Sequence, residues 1–143
     1  MILFHSETNF RLSSKRQYKQ WINQVARQEN KKIGDINYLF CDDEYLLKVN
    51  QQYLQHHDFT DIITFDYSEE NTISGDIMIS VERVLENAKK YEVSVDNELL
   101  RVMAHGILHL CGYKDKEAED AQRMRKKEDE AMKLFEQMST KDC

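Results

Sequence analysis

The sequence predicts an α+β fold in which helices pack against a small mixed β-sheet. Short apolar segments suited to strands are clustered in the first part of the chain, between longer segments whose apolar residues have helical spacing. Three helical segments then follow one another. No repeat, low-complexity run or linker interrupts the 143 residues, a length that fits one domain with a substantial core. Residues 1–143 are therefore predicted to form a single domain.

Four short apolar segments are predicted to be the strands of this sheet. They are residues 1–4, 36–41, 62–67 and 75–80. The polar residues 68–71 between the last two strands suit a hairpin-like connection.

Five longer segments are predicted to be helices, and the first two follow typical capping residues. Ser13 or Ser14 precedes a helix that extends to about residue 30, and Asp42 or Asp43 precedes one that extends to about residue 53. The other three are predicted at about residues 81–91, 96–111 and 117–138.

The fourth predicted helix carries the most specific motif in the chain. His105 and His109 are four residues apart, so their side chains project from one face of a helix and can bind one metal ion. Gly112 is suited to end the helix in a left-handed conformation, and Asp115 then follows as a third ligand. Metzincin peptidases have this spacing, but Gly106 stands where they have a glutamate base. The sequence predicts a three-ligand metal site without that base.

The two histidines have a structural alternative, as core side chains satisfied by ordinary hydrogen bonds. The segment around them is among the most apolar in the chain, so the helix is predicted to be buried, where histidines need a partner. A metal ion is the partner that the spacing favours. Cys111 lies about 200° around the helix from His109 and is predicted to pack rather than to bind the metal.

The segment His-Gly-Ile-Leu-His-Leu-Cys-Gly-Tyr-Lys-Asp at residues 105–115 resembles the signature of the YbeY family of bacterial metal-dependent endoribonucleases. Residues 50–53 with 60–65, and residues 75–80, resemble two further blocks of that family in the right order and spacing. The resemblance covers the chain from about residue 36 onward. It implies a four-stranded sheet, with the metal in a cleft beside the long histidine-bearing helix.

The resemblance also implies a function. It is single-strand-specific cleavage of RNA, in the maturation of the 3′ end of small-subunit ribosomal RNA and in ribosome quality control, with ribosomal RNA and the small ribosomal subunit as partners. The alternative is a non-catalytic ribosome assembly factor whose cleft is held in shape by the metal. Structural zinc usually has four protein ligands, so the three visible here favour an open, reactive site.

Two residues depart from the family's usual pattern. Asp115 stands where the family usually has a third histidine, and a carboxylate is a sound zinc ligand. One zinc ion per chain, bound by His105, His109 and Asp115, is therefore predicted, and the oxygen ligand also suits other divalent ions. Leu54 stands where the family usually has an arginine that serves the RNA substrate. Leucine cannot bind phosphate, so either other residues supply positive charge or the nuclease is weaker.

The general base is not assigned by the sequence. Gly106 cannot accept a proton, which leaves Asp61, just before the third predicted strand, or hydroxide at the metal itself. Thr60 is a further candidate to line the cleft. His56 and His57 are adjacent in a loop and their side chains diverge, so at most one is predicted to enter the cleft.

A net charge of −6 means that RNA binding requires a local basic patch. Lys114 and Lys116 flank Asp115 and are predicted to contact the substrate. The basic residues of the last predicted helix alternate with acidic ones, as on a solvated face. They are Arg123, Arg125, Lys126 and Lys127.

The sequence predicts a cytoplasmic protein without a membrane segment. No run approaches the roughly 20 consecutive apolar residues that cross a bilayer, and the N-terminus lacks the pattern of a secretory signal. Cys41, Cys111 and Cys143 are odd in number and far apart, which favours free thiols in a reducing compartment.

Overall fold

The computed structural model describes residues 1–53 and 60–141, within which four strands and five helices follow one another. The strands are β1 (Ile2–Ser6), β2 (Lys32–Cys41), β3 (Ile62–Asp66) and β4 (Thr72–Ser80). The helices are α1 (Lys15–Gln28), α2 (Asp43–Tyr53), α3 (Val81–Lys90), α4 (Val95–Leu110) and α5 (Ala118–Lys141). The α+β class predicted from the sequence is confirmed.

The four strands form one mixed sheet in the order β1-β2-β4-β3. β1 and β4 run parallel to β2, whereas β3 runs antiparallel to β4. A bridge between Glu69 and Thr72 closes the turn between β3 and β4, which confirms the predicted hairpin-like connection. The sheet is therefore parallel where helices cross over between strands and antiparallel where a short turn suffices.

Some element ends differ from the predicted ones. β2 begins at Lys32 rather than residue 36, because Lys32 and Ile33 pair with the start of β4 before a register irregularity. Ser14 is at the N-cap position of α1, one of the two positions predicted, but it has a left-handed conformation with φ 55° and its side chain makes no capping hydrogen bond. Asp42 does cap α2, since its Oδ1 accepts from the Tyr45 amide at 2.8 Å.

The two faces of the sheet are covered unequally. The main core lies between one face of the sheet and the helices α1, α4 and α5. Trp21 of α1 is fully buried there and donates from Nε1 to the Ala131 carbonyl of α5 at 2.8 Å. A smaller cluster lies under α2, formed by Cys41, Leu46, Val49 and Ile63.

Helix α4 lies deep in the main core and presents one edge to the site. Ser94 caps it, since Ser94 Oγ accepts from the Asn97 amide at 3.1 Å. Gly106 faces the sheet so closely that a Cβ there would lie 2.8 Å from Ile77 Cγ2. Among the described residues, no helix is long and apolar enough to cross a membrane.

Candidate metal centre

Three side chains converge at the C-terminal end of α4. The Nε2 atoms of His105 and His109 lie 3.1 Å and 3.3 Å from the same oxygen, Oδ2 of Asp115. The three donor atoms all lie within 4.8 Å of one another, and no second group of this kind is found in residues 1–53 and 60–141. The structure thus brings together the three residues that the sequence predicts as metal ligands.

The chain reverses sharply after α4, and this reversal brings Asp115 back to the histidines. Gly112 has φ 106°, a conformation that glycine adopts without strain. The Gly112 amide donates to the His109 carbonyl and the Tyr113 amide donates to the Leu108 carbonyl, each at 3.0 Å. This pair of hydrogen bonds is a Schellman motif. Tyr113 Oη donates to Glu29 Oε1 at 2.5 Å and so anchors the turn to the end of α1.

His105 is oriented from behind by a carboxylate of α5. His105 Nδ1 lies 2.6 Å from Glu128 Oε2, and Glu128 is only 5% exposed. Arg101 donates to the other oxygen, Glu128 Oε1, at 3.0 Å and to Asp129 at 2.7 Å. Because a carboxylate only accepts hydrogen bonds, Nδ1 of His105 carries the proton. The lone pair of Nε2 is then left free on the side of the ring that faces Asp115. A carboxylate behind the histidine is a typical arrangement at zinc sites.

The donor set fits a divalent cation. Two imidazole nitrogens and one carboxylate oxygen are ligands that zinc accepts, and their convergent lone pairs repel one another unless a cation or proton lies between them. Although burial lowers the pKa of His105, the hydrogen bond and the charge of Glu128 outweigh it and raise that pKa. The site is electrostatically prepared for positive charge.

A cavity of about 190 Å³ extends from His105 between α3, α4, α5 and the start of β3. Asp61, the predicted catalytic candidate, lines this cavity together with His105, and burial raises the pKa of its carboxyl group. Thr60, just before β3, donates from Oγ1 to the carbonyl of Ile62, the first residue of that strand, at 3.3 Å. Leu54, His56 and His57 lie outside the described residues.

The two lysines predicted to contact substrate are exposed on either side of Asp115. Lys114 lines a second cavity, which it shares with Cys111 and Arg123. Cys111 packs against the main core, and burial raises the pKa of its thiol to about 12. A protonated thiol is a poor metal ligand, in keeping with the predicted packing role of Cys111.

Three residues around the site were not predicted from the sequence, namely Glu98, Arg101 and Glu128. Arg101 and Glu98 precede His105 by four and seven residues, so helical spacing alone was enough to put them on its face. Glu128 falls in the apolar stripe of α5, between the buried Met124 and Ala131. A charged residue within a buried stripe was the signal that distinguished it from its solvated neighbours.

Comparisons with known proteins identify the family of the chain and agree with its fold. The sequence profile of the family described as Endoribonuclease YbeY matches residues 3–136, which begins earlier than the resemblance in the sequence indicated. A Flavobacterium johnsoniae protein named Endoribonuclease YbeY is 56% identical over 135 residues, covering 94% of this chain and 97% of the relative. A protein of the same name from Cytophaga hutchinsonii is 45% identical, with 94% of each chain covered.

A solved structure shares the whole fold. The solution structure of TM1509 from Thermotoga maritima superimposes with a TM-score of 0.71 at 26% identity, covering 99% of this chain and 93% of that one. The sequence profile, the relatives and the shared architecture all lead to one assignment. The chain belongs to the YbeY family of endoribonucleases.

Proposed function

We propose that residues 1–143 form one metallohydrolase domain that cleaves single-stranded RNA, with one zinc ion bound by His105, His109 and Asp115. The observation that carries this proposal is the set of three donor atoms within 4.8 Å of one another. The biological role that we infer is the maturation of the 3′ end of small-subunit ribosomal RNA and ribosome quality control, in the cytoplasm and in contact with the small subunit.

The protein's own groups have distinct tasks in this reaction. His105, His109 and Asp115 would hold a divalent ion, which would supply Lewis-acid chemistry by lowering the pKa of water and neutralising charge on a phosphate. Glu128 accepts a hydrogen bond from Nδ1–H of His105 and so fixes the tautomer in which Nε2 is free to bind the metal. Asp61 lines the adjoining cavity and accepts a proton from the attacking water. Lys114 and Lys116 bind the phosphates that flank the cleavage site.

Metal content is the first test. Elemental analysis of untagged protein, purified without chelators, is expected to give about one zinc ion per chain for the native protein and far less for Asp115→Ala. Asp120→Asn on α5 is a control, since it removes the same charge from a side chain outside the donor set. A native protein that takes up no divalent metal contradicts the proposal.

Cleavage is tested on a fluorescent single-stranded RNA and on the same sequence in a duplex. We expect zinc-dependent cleavage of the single strand, abolished in Asp115→Ala. For Lys114→Ala with Lys116→Ala we expect a raised KM at little change in kcat, because phosphate contacts bind ground state and transition state alike. Lys126→Ala, exposed on α5, is the matched control.

A non-catalytic role in ribosome assembly is the second candidate, and the net charge of −6 favours it because RNA cleavage needs a basic surface. Co-sedimentation with small subunits separates the two. If Asp115→Ala loses cleavage and also fails to support rRNA maturation while still binding subunits, catalysis is the function. If it supports maturation as well as the native chain, assembly is the function.

A further inference from the structure

The cavity beside the metal centre has the character of a binding site for a flat ring system. Its volume of about 190 Å³ exceeds the roughly 150 Å³ of cavities that hold benzene. Ile62 and Val102 provide apolar walls, and Tyr91, which is 56% exposed, stands at the rim. Apolar walls with a few convergent polar groups are typical of small-molecule pockets. His105 belongs to both the cavity and the candidate metal centre, so the two are contiguous.

Glu98 is a buried carboxylate in this cavity that has no side-chain partner among the described residues. It is only 5% exposed and lines the cavity, yet no described residue forms a hydrogen bond or an ion pair with its carboxylate. Glu128 is equally buried, but His105 and Arg101 satisfy it. Burying an unpaired carboxylate is costly, and a ligand that hydrogen-bonds to it would offset that cost.

The charges around Glu98 define which ligand it can take. Burial, with the charges of Asp61 and Glu128, raises the pKa of Glu98, whereas the charges of Arg101 and Arg125 oppose that rise. An ionised carboxylate has two parallel acceptor oxygens and no donor. Its best neutral partner presents two adjacent N–H groups. Asn87 and Arg125 line the same cavity and carry N–H donors for an acceptor on that partner.

Among the RNA bases, guanine alone has two adjacent donors, N1–H and N2–H, next to an acceptor, O6. Adenine and cytosine place a single amino group beside an acceptor nitrogen, and uracil has one imino group between two carbonyls. We propose that this cavity binds a guanine of the RNA substrate, with the Glu98 carboxylate accepting from N1–H and N2–H. The proposal rests on the proposed endoribonuclease function, which brings RNA to the adjoining metal centre, and it makes cleavage selective for a neighbouring guanosine.

Nucleotide binding to the zinc-loaded protein tests this directly. GMP and IMP carry the same phosphate and differ only in the 2-amino group, so their difference in affinity reports the proposed contact. We expect GMP to bind about tenfold more tightly than IMP or AMP in titration calorimetry, because a site that hydrogen-bonds a polar group rejects analogues without it. Equal affinities for GMP and IMP, or a preference for AMP, would overturn the proposal.

The variant Glu98→Gln tests the residue. Glutamine has nearly the same shape but presents one acceptor and one donor, so the preference for GMP over IMP is expected to disappear. Asp96→Asn is the matched control, since Asp96 is exposed, lies in the same first turn of α4 and loses the same charge. Circular dichroism checks that both variants are folded. A preference that survives in Glu98→Gln contradicts the role of Glu98.

Binding and cleavage can fail separately. Selective GMP binding by a protein that cleaves no RNA would reject the proposed function and support the guanine site. Cleavage of RNA without any preference for guanosine, together with equal binding of GMP and IMP, would reject the guanine site and leave the proposed function intact.

Discussion

Glu128 is a buried charge whose two oxygens both have cationic or hydrogen-bonding partners. Oε2 accepts a hydrogen bond from His105 and Oε1 accepts one from Arg101, which also donates to Asp129 on the surface. A buried ion pair contributes little net stability, but removing one member leaves the others uncompensated. The network therefore acts mainly through geometry, by fixing the ring of His105 and the nitrogen that it offers.

The variant Glu128→Gln is expected to weaken zinc binding by about 10- to 100-fold, the usual effect of losing a partner behind a metal ligand. Glutamine preserves the volume but not the charge that orients and polarises His105. Competition with a fluorescent chelator measures the affinity. Glu119→Gln, exposed on the same helix, is the control and should bind zinc as the native chain does. Equal affinities for the two variants would contradict a role of Glu128 at the metal.

Glu98 is expected to lower stability at neutral pH. Because its pKa is raised in the folded state, chiefly by burial, folding is favoured below the ordinary pKa of a glutamate, and that advantage is lost as the pH rises through the folded-state pKa. The glutamine side chain in Glu98→Gln has no titratable group, so this pH dependence is absent from the variant. We expect it to be more stable than the native chain by about 1 kcal/mol near pH 7 and equally stable near pH 4.

Urea unfolding at the two pH values measures this difference. The control Asp96→Asn is expected to lose stability slightly, since an exposed acidic residue in the first turn favours the helix dipole. A native chain that is more stable than Glu98→Gln near pH 7 would show that the buried carboxylate has a partner in the folded protein.

The convergence of the three candidate ligands could be predicted from the sequence, whereas their surroundings could not. His105, His109 and Asp115 lie within one helix and the turn after it, so local spacing determines their meeting. Glu128 is 23 residues away from His105 along the chain and reaches it only because α5 packs back along α4. That packing depends on tertiary contacts, which periodicity in a single sequence does not describe.

At the scale of elements, α4 is held in place by its close approach to the sheet. A Cβ at Gly106 would lie 2.8 Å from Ile77 Cγ2 and 3.2 Å from Ile62 Cδ1. Ile77 is fully buried and branched at Cβ, so it cannot move aside. The glycine after His105 thus sets the distance between the histidine-bearing helix and β4. A glutamate, which metzincin peptidases have at this position, would not fit in that space.

Gly106→Ala is therefore expected to lower the free energy of unfolding by about 1–3 kcal/mol, as overpacking does in other cores. The same substitution at an exposed helix position would raise it by about 1 kcal/mol, so the sign alone identifies the cause. Urea unfolding gives the free energy, and elemental analysis reports whether the displaced helix still binds zinc. A stabilised Gly106→Ala variant would contradict the close approach.

Strands and helices could be predicted where their own residues carry a local pattern, and not where their ends depend on contacts with other strands. The strands were recognisable as short apolar runs, as in residues 77–79, where Ile77 and Ile79 face the main core and Met78 packs against the smaller cluster. The start of β2 was missed, since Lys32 and Ile33 pair through their backbones and carry little of that pattern. The capping hydrogen bond expected of a serine before α1 is absent, since Ser14 has a left-handed conformation rather than the extended one usual for an N-cap.

For the whole molecule, the candidate metal centre connects parts of the chain that the core already holds together. Asp115 follows a turn that a hydrogen bond from Tyr113 joins to Glu29, just after α1, and Trp21 of α1 is hydrogen-bonded to α5. The main core contains fully buried large side chains from the sheet, α1 and α4, so its formation does not depend on a metal. Unlike a zinc finger, the protein should fold without the ion and gain stability when it binds.

Zinc is expected to stabilise the fold by mass action. A free zinc concentration of about 100 times Kd should raise the free energy of unfolding by about 2.7 kcal/mol, because the ion binds the folded chain and not the unfolded one. Trp21 is the single tryptophan and is fully buried, so its fluorescence follows unfolding in urea with zinc or with EDTA. Asp115→Ala should unfold at the same urea concentration in both conditions. If zinc stabilised this variant as much as the native chain, the ion would be bound at a different site, and if EDTA unfolded the native chain outright, the metal would be structural rather than catalytic.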